Sequence, residues 1–308
     1  MKVRTFSSSS EAHGFGEFRW QMAYHGAEID ARTKAAIGFV QGAASKSFAT
    51  EFLAEQPDRL QINGQWALPS SLRQQMSGKT QIVLEATSLG MVEVLLLLRA
   101  AKAAGVSMVD CVYVEPKEYT KDVYLDTSWS REFSLSRSRR LEGVRGFAHK
   151  LSEISGPDAK LVVFLGYEAS RLAQACQQED AIAGWRKYAV FGVPGYSPGW
   201  EMNAMANNVD ALERNKFESV QYCAASSVSS AYELLTTIHN EGRTDNSCTV
   251  VAPFGTKPHG IASAMFLIEN TAFQASSLMY DHPARSPDRS TDVRRWHLYR
   301  IHIAHNST

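Results

Sequence analysis

The sequence predicts an α/β fold: a mostly parallel sheet of about six or more strands with helices on both faces, preceded by an N-terminal extension. Three observations predict it. Six apolar runs rich in Val, Ile, Leu, Phe and Cys recur from residue 82 onward without strict alternation, as strands covered on both faces require. Four of them, beginning at Ile82, Leu161, Val220 and Cys248, pass quickly into a helical pattern. Small polar turns stand at these junctions, where hydroxyls cap helices and glycine permits sharp reversals.

Residues 1–79 read as an extension packed on the main domain, and residues 80–308 as one ligand-binding domain. The extension holds a Ser run, a helix opened by Asp30 over DARTKAAIGFVQGA, and an Asn63-Gly64 turn that suggests a hairpin. The regular part begins with Ile82-Val83-Leu84, continues through the turn Ala86-Thr87-Ser88-Leu89-Gly90, and enters the helix MVEVLLLLRAAKAAG, stopped by Gly105. Further strands are expected at 108–116, 161–166, 187–195, 220–226 and 248–255. Two segments, Lys117 to Gly156 and Gly195 to Asn208, break the rhythm, and the first reads as a lid or hairpin rich in Ser and Arg. Near the end, SSLMYDH reads as a strand, and the alternating WHLYRIHI suits an edge strand.

Composition excludes several classes. With 32 basic and 32 acidic residues, the chain offers no overall field that would attract duplex nucleic acid or an anionic membrane. The start lacks an apolar stretch of signal-peptide length, and the run Met91 to Leu98 is too short to cross a bilayer, so a soluble cytoplasmic protein is expected. Cys111, Cys176, Cys223 and Cys248 are isolated, without CxxC or Cys/His spacing, and read as reduced core residues.

Ligands of open α/β sheets bind outside the carboxyl ends of the strands. The most informative turn there is Gly255-Thr256-Lys257-Pro258-His259-Gly260, between the strand CTVV and the helix IASAMFLIEN. Glycine allows close backbone approach, a helix amino terminus offers N–H groups and a positive dipole end, and Lys257 adds a point charge. That suits a phosphate, although neither GxxxxGK[ST] nor GxGxxG occurs, and the turn also reads as a solvated polar loop. Thr87 and Ser88, with Gly90, open the first helix, where they either cap it or meet a ligand. Tyr167 and Glu168 occupy the equivalent turn after LVVFLG, and Ala225-Ser226-Ser227 that before the helix around Tyr232. Gly195-Tyr196-Ser197-Pro198-Gly199 matches GxSxG, but Pro198 lacks the N–H that an oxyanion hole needs; Tyr196 and Asn203 suit stacking on a base and bonding its edge, or a packed loop. Asp281 with His297 and His302 makes no paired ligand set, because the two histidines fall on opposite faces of a strand, so no metal is expected. No cofactor is expected either.

Taken together, Thr87 and Ser88 before one helix and Gly255-Thr256-Lys257 before another resemble the CRISPR-associated Rossmann-fold sensor domains, over roughly residues 80–282. The resemblance implies a Rossmann-like domain that binds a cyclic oligoadenylate across a homodimer, with Thr87 and Ser88 in the first binding turn and Gly255, Thr256 and Lys257 in the second. It further implies a sensor in bacterial antiviral defence that acts through an effector partner. Three functions remain open on the sequence. The first is a nucleotide sensor that binds without turnover. The second is a metal-independent nuclease of a cyclic oligonucleotide, in which Lys257 and Ser88 stabilise the transition state. The third is a non-catalytic structural subunit of a defence complex.

Overall fold

The computed structural model describes residues 1–15, 18–120, 135–137, 141, 143–151, 154, 159–177, 182–242, 244, 247–271, 275–287 and 289–304. The chain forms two compact units: one from Met1–Thr120 and Pro287–Thr308, the other from Lys121–Ser286. This division differs from the boundary expected at residue 79, because residues 1–79 supply five strands to the first unit's sheet.

In chain order the first unit contains β1 (Lys2–Ser9), β2 (Met22–His25), α1 (Ala31–Ala43), β3 (Ser47–Glu51), β4 (Leu60–Ile62), β5 (Gln65–Ala67), α2 (Pro69–Met76), β6 (Gln81–Glu85), α3 (Met91–Ala104) and β7 (Met108–Tyr119). The second contains β8 (Ser136–Arg137), β9 (Lys160–Leu165), α4 (Ala169–Cys176), β10 (Arg186–Gly192), α5 (Trp200–Arg214), β11 (Ser219–Cys223), α6 (Val228–Asn240), β12 (Thr249–Pro253), α7 (Lys257–Glu269), β13 (Ser276–Leu278) and β14 (Ala284–Arg285). The chain returns to the first unit in β15 (Ser290–His302).

The fold is α/β, but the single, mostly parallel sheet is corrected to two sheets. The first unit has an eight-stranded mixed sheet in the order β1-β15-β7-β6-β2-β3-β4-β5. Its middle strands β7, β6, β2 and β3 are parallel, while the pairs at both ends are antiparallel. The second unit has a five-stranded sheet, β11-β10-β9-β12-β13, parallel throughout. All six expected strand runs exist, two in the first sheet and four in the second. A run of apolar residues specifies burial on both faces but not the neighbouring strand.

Local chemistry explains where the elements begin and end. Asp30 caps α1 by accepting from Thr33 N at 2.7 Å, while Thr33 Oγ1 accepts from Asp30 N at 3.0 Å, a reciprocal capping box. Asn63 and Gly64 both adopt positive φ, 49° and 78°, and join the antiparallel β4 and β5. α3 is buried at Leu95 through Leu98 and ends at Gly105, whose φ of 80° is the left-handed cap. Two expectations are corrected. β15 is an interior strand between β1 and β7, because Phe6 of the Ser-rich β1 stacks on His297 and Tyr299 of β15 and covers them. The segment 195–208 is mostly helical, as α5, with Ala204 and Asn208 turned inward. Most of the expected lid or hairpin between 117 and 156 lies outside the described residues.

Each unit has its own core. Trp20, Val40, Val83, Val112, Trp296 and Leu298 pack together in the first. Leu161, Val163, Leu165, Val250 and Phe254 do so in the second. The four cysteines are free and buried, as expected. No helix among the described residues is long and apolar enough to cross a membrane.

Candidate functional site

Strand order locates the candidate site. From β9 the second unit's chain moves to β10 and β11 on one side, and then returns to β12 and β13 on the other. The order reverses between β9 and β12, which is where doubly wound sheets bind ligands, outside the carboxyl ends of the strands. The turns meeting there are Gly166-Tyr167-Glu168 after β9 and Phe254-Gly255-Thr256 after β12. Both strands are fully buried, whereas Gly166 through Glu168 and Gly255 through Lys257 are half-buried.

Two glycines make this approach feasible. A Cβ on Gly166 would lie 2.6 Å from the Phe254 carbonyl oxygen, and one on Gly255 would lie 2.8 Å from His259 Nδ1 and 3.1 Å from the Phe164 Cβ. No side chain fits at either position. The turn after β9 is held from behind by α5, where Asn208 Nδ2 donates to the Gly166 carbonyl at 2.9 Å and Asn207 Nδ2 to the Tyr167 carbonyl at 2.8 Å. The turn after β12 is tied sideways, since Thr256 Oγ1 donates to the Ala225 carbonyl at 2.6 Å. The Thr256 hydroxyl therefore positions the turn and does not cap α7, which begins at Lys257 with Pro258 beside it.

Behind Gly255 stands His259, fully buried and 4.8 Å from the Phe164 ring, centroid to centroid. Its Nε2 lies 3.2 Å from the Ala224 carbonyl and 3.4 Å from Cys223 Sγ, which assigns the ring proton to Nε2. Its Nδ1 is buried without a hydrogen-bond partner. Burial pushes the imidazole pKa down to about 4, opposed by the Ala224 contact, so the ring is neutral at physiological pH. His259 is a neutral post under the glycine turn.

The flank is formed by a buried ion pair. Arg171 of α4 donates from Nε and Nη2 to the two oxygens of Asp281, at 2.9 and 2.5 Å. Its guanidinium lies 4.5 Å from the Phe254 ring centroid and 5.6 Å from that of Tyr280. Burial acts against the charge, but the hydrogen bonds and proximity of Asp281 outweigh it and raise the Arg171 pKa. Asp281, considered at the outset as a metal ligand, is thus committed to Arg171. His297 and His302 of β15 fall on opposite faces, the first buried and the second exposed.

The expected residues divide between the two sheets. Tyr167, Glu168, Gly255, Thr256 and Lys257 lie on the two switch-point turns of the second unit. Tyr196 lies in the loop after β10, and Asn203 on α5 one turn before Asn207. Thr87, Ser88 and Gly90 belong to the first unit, after β6. There too strand order reverses, between β2 and β6, so these residues lie at a switch point of their own.

That turn is bound up internally. Glu85, fully buried, accepts from Thr87 N at 2.8 Å, from Ser88 N at 2.9 Å and from the Ser88 hydroxyl. Ser88 Oγ in turn accepts from Gly26 N at 2.8 Å, and Thr87 Oγ1 accepts from Val114 N at 2.9 Å. Gly90 is the N-cap of α3 and supplies no side-chain cap. The hydroxyls fasten the end of β6 to the residue after β2 and to the middle of β7.

Two residues at these turns were not singled out in the sequence, Glu85 and Arg171, while Asn207 and His259 serve as a backbone anchor and a buried post, which the sequence does not indicate. A carboxylate two and three residues before paired hydroxyls was the available signal for Glu85. Nothing local marks Arg171, whose partner lies 110 residues away.

No protein-family model matches the chain, and no curated protein matches it. A solved structure of phosphoethanolamine N-methyltransferase 2 from Haemonchus contortus, in complex with phosphomonomethylethanolamine and S-adenosylhomocysteine, shows a weak likeness. It covers 87% of this chain and 71% of that one, at 8% identity and a TM-score of 0.20.

Proposed function

We propose that the protein is a nucleotide-binding sensor whose ligand sits at the switch point of the second unit, between the turns after β9 and β12. The observation that carries this reading is the contact of two glycine turns, Gly166 and Gly255, at the reversal of a fully parallel sheet, beside the amino end of α7. In this reading the α7 amino end and Lys257 take a phosphate, by dipole and by charge. Glu168 accepts a ribose hydroxyl, and Tyr167, Tyr196 and Asn203 form the wall against a base. Thr87, Ser88 and Gly90 serve as the framework of the first unit and not as ligand contacts.

Binding is favoured over turnover because the buried groups nearest the site are occupied as scaffold: Asp281 holds Arg171, and His259 is a neutral ring beneath a turn. The cyclic-oligonucleotide ligand, the homodimer, the effector partner and the defence setting rest on the resemblance to the sensor family alone, of whose two motifs only Gly255-Thr256-Lys257 lies in the second unit. Thermal unfolding in the presence of mononucleotides and of linear and cyclic oligonucleotides tests the reading, followed by analysis of the mixtures for products. A phosphate-bearing ligand should raise the midpoint, its nucleoside should not, and Lys257→Ala protein should lose the response. Product formation in chelator would favour the nuclease, and a flat response to the whole panel would leave the structural subunit.

A further inference from the structure

A cavity of about 620 Å³ lies in the first unit, bounded by α2, α3 and the segment that leads into β4. Its size is that of a small-molecule site. The α3 face toward it carries Leu96, Arg99, Ala100, Ala103 and Ala104, a single stripe at helical spacing. The alanines present only methyl groups, which leaves the space between the helices open; Leu72 of α2 supplies an apolar wall.

The charges on this cavity are unequal. Arg59, Arg73 and Arg99 line it, against one carboxylate, Asp58. Asp58 is already engaged by Arg59, Nε to Oδ1 at 3.0 Å. Arg99 is half-buried, and desolvation lowers its pKa, so its charge sits where an anion would be stabilised by more than in bulk water. Leu68, at the N-cap of α2, provides no side-chain acceptor for the first-turn amides beside Ser70.

We propose that this cavity binds an amphipathic acid, with a compact carboxylate or phosphate head between Arg73 and Arg99 and a short apolar body along Leu72, Leu96 and Ala100. Guanidinium groups pair with both heads in bidentate fashion, and the apolar lining rewards the body. The site is independent of the nucleotide site described above.

Isothermal titration of the full chain with octanoate, octyl phosphate and 1-octanol tests it. Both acids should bind, with octanol at least about ten-fold weaker. Arg73→Gln, an exposed position, should weaken both acids by about ten-fold, and Arg99→Met by as much or more. Ala103→Phe, at the exposed mouth, should abolish binding while the thermal midpoint of the free protein stays near that of wild type. A preference between the acids names the head group, and either preference supports the site. Lys257→Ala should leave these affinities unchanged, which separates failure here from failure of the nucleotide reading. Octanol binding as tightly as the acids, wild-type affinity in both arginine variants, or no binding to folded wild-type protein would overturn the proposal.

Discussion

The turns after β6 and after β12 look alike in sequence and differ in what their polar atoms do. Each follows a buried parallel strand, stands at a reversal of strand order and opens a helix. At the first, a buried carboxylate draws two amides and a hydroxyl inward, and a second hydroxyl is consumed by Val114. At the second, the support comes from other elements: Thr256 reaches sideways to Ala225, His259 stands beneath Gly255, and Lys257 remains half-buried at the helix start. The hydroxyls of both turns are committed to the protein's own groups, and the turns differ in whether a buried acid of the strand itself gathers them.

The contrast can be broken most forcefully at the flank of the second turn. Asp281→Ala strands the buried Arg171 charge and should cost about 3–5 kcal/mol. Hydrogen exchange should report this as lost protection in peptides over β12 and α7, with β6 and α3 unchanged.

Next comes acidity. His259 binds its proton near pH 4 in the folded protein, against about 6.5 in the unfolded chain. Unfolded molecules thus take up the proton first as pH falls. The stabilisation is complete above pH 6.5 and is lost progressively down to pH 4, on the order of 3 kcal/mol in all. Urea unfolding across that range should show the slope, and His259→Gln should flatten it.

Third, Glu85→Gln leaves donors of the first turn facing an amide that can accept at only one oxygen. It should cost about 2 kcal/mol, read as faster exchange at residues 86–90 with no change near residue 255. The smallest effects sharpen the comparison most. Ser88→Ala should cost about 1 kcal/mol and leave any nucleotide-induced thermal shift intact. Lys257→Ala should change stability by less than about 0.5 kcal/mol and remove that shift. The reverse pairing would exchange the roles of the two turns.

Much of the secondary structure was legible. The six apolar runs, the Asp30 cap, the Asn63-Gly64 hairpin and the Gly105 stop are local signals, each carried by residues within a turn of one another. What was not legible is long-range. β1 is a strand because Phe6 and its neighbours pair with β15, nearly 300 residues on, and its Ser run has no strand propensity of its own. α5 carries three Asn residues, which are weak helix formers; its inward Asn208 bonds the Gly166 carbonyl as well as its own helix, a reward visible only in three dimensions. Of the candidate site, the place of the Gly255 turn between a strand and a helix was readable from glycine and position. Its supports were not, since Arg171–Asp281 and Thr256–Ala225 join residues distant in sequence.

The second unit is spliced between two strands that pair with each other. β7 and β15 run antiparallel from Met108 opposite His302 to Tyr119 opposite Ser290, and Thr120 N donates to the Arg289 carbonyl at 3.0 Å where the chain departs and returns. Departure and arrival are one hydrogen bond apart. Such an arrangement is that of a guest on a host hairpin: a tight reversal in its place would close the host ladder without moving a residue of it. The two proposed binding surfaces thus reside on parts that evolution, or an engineer, can exchange separately.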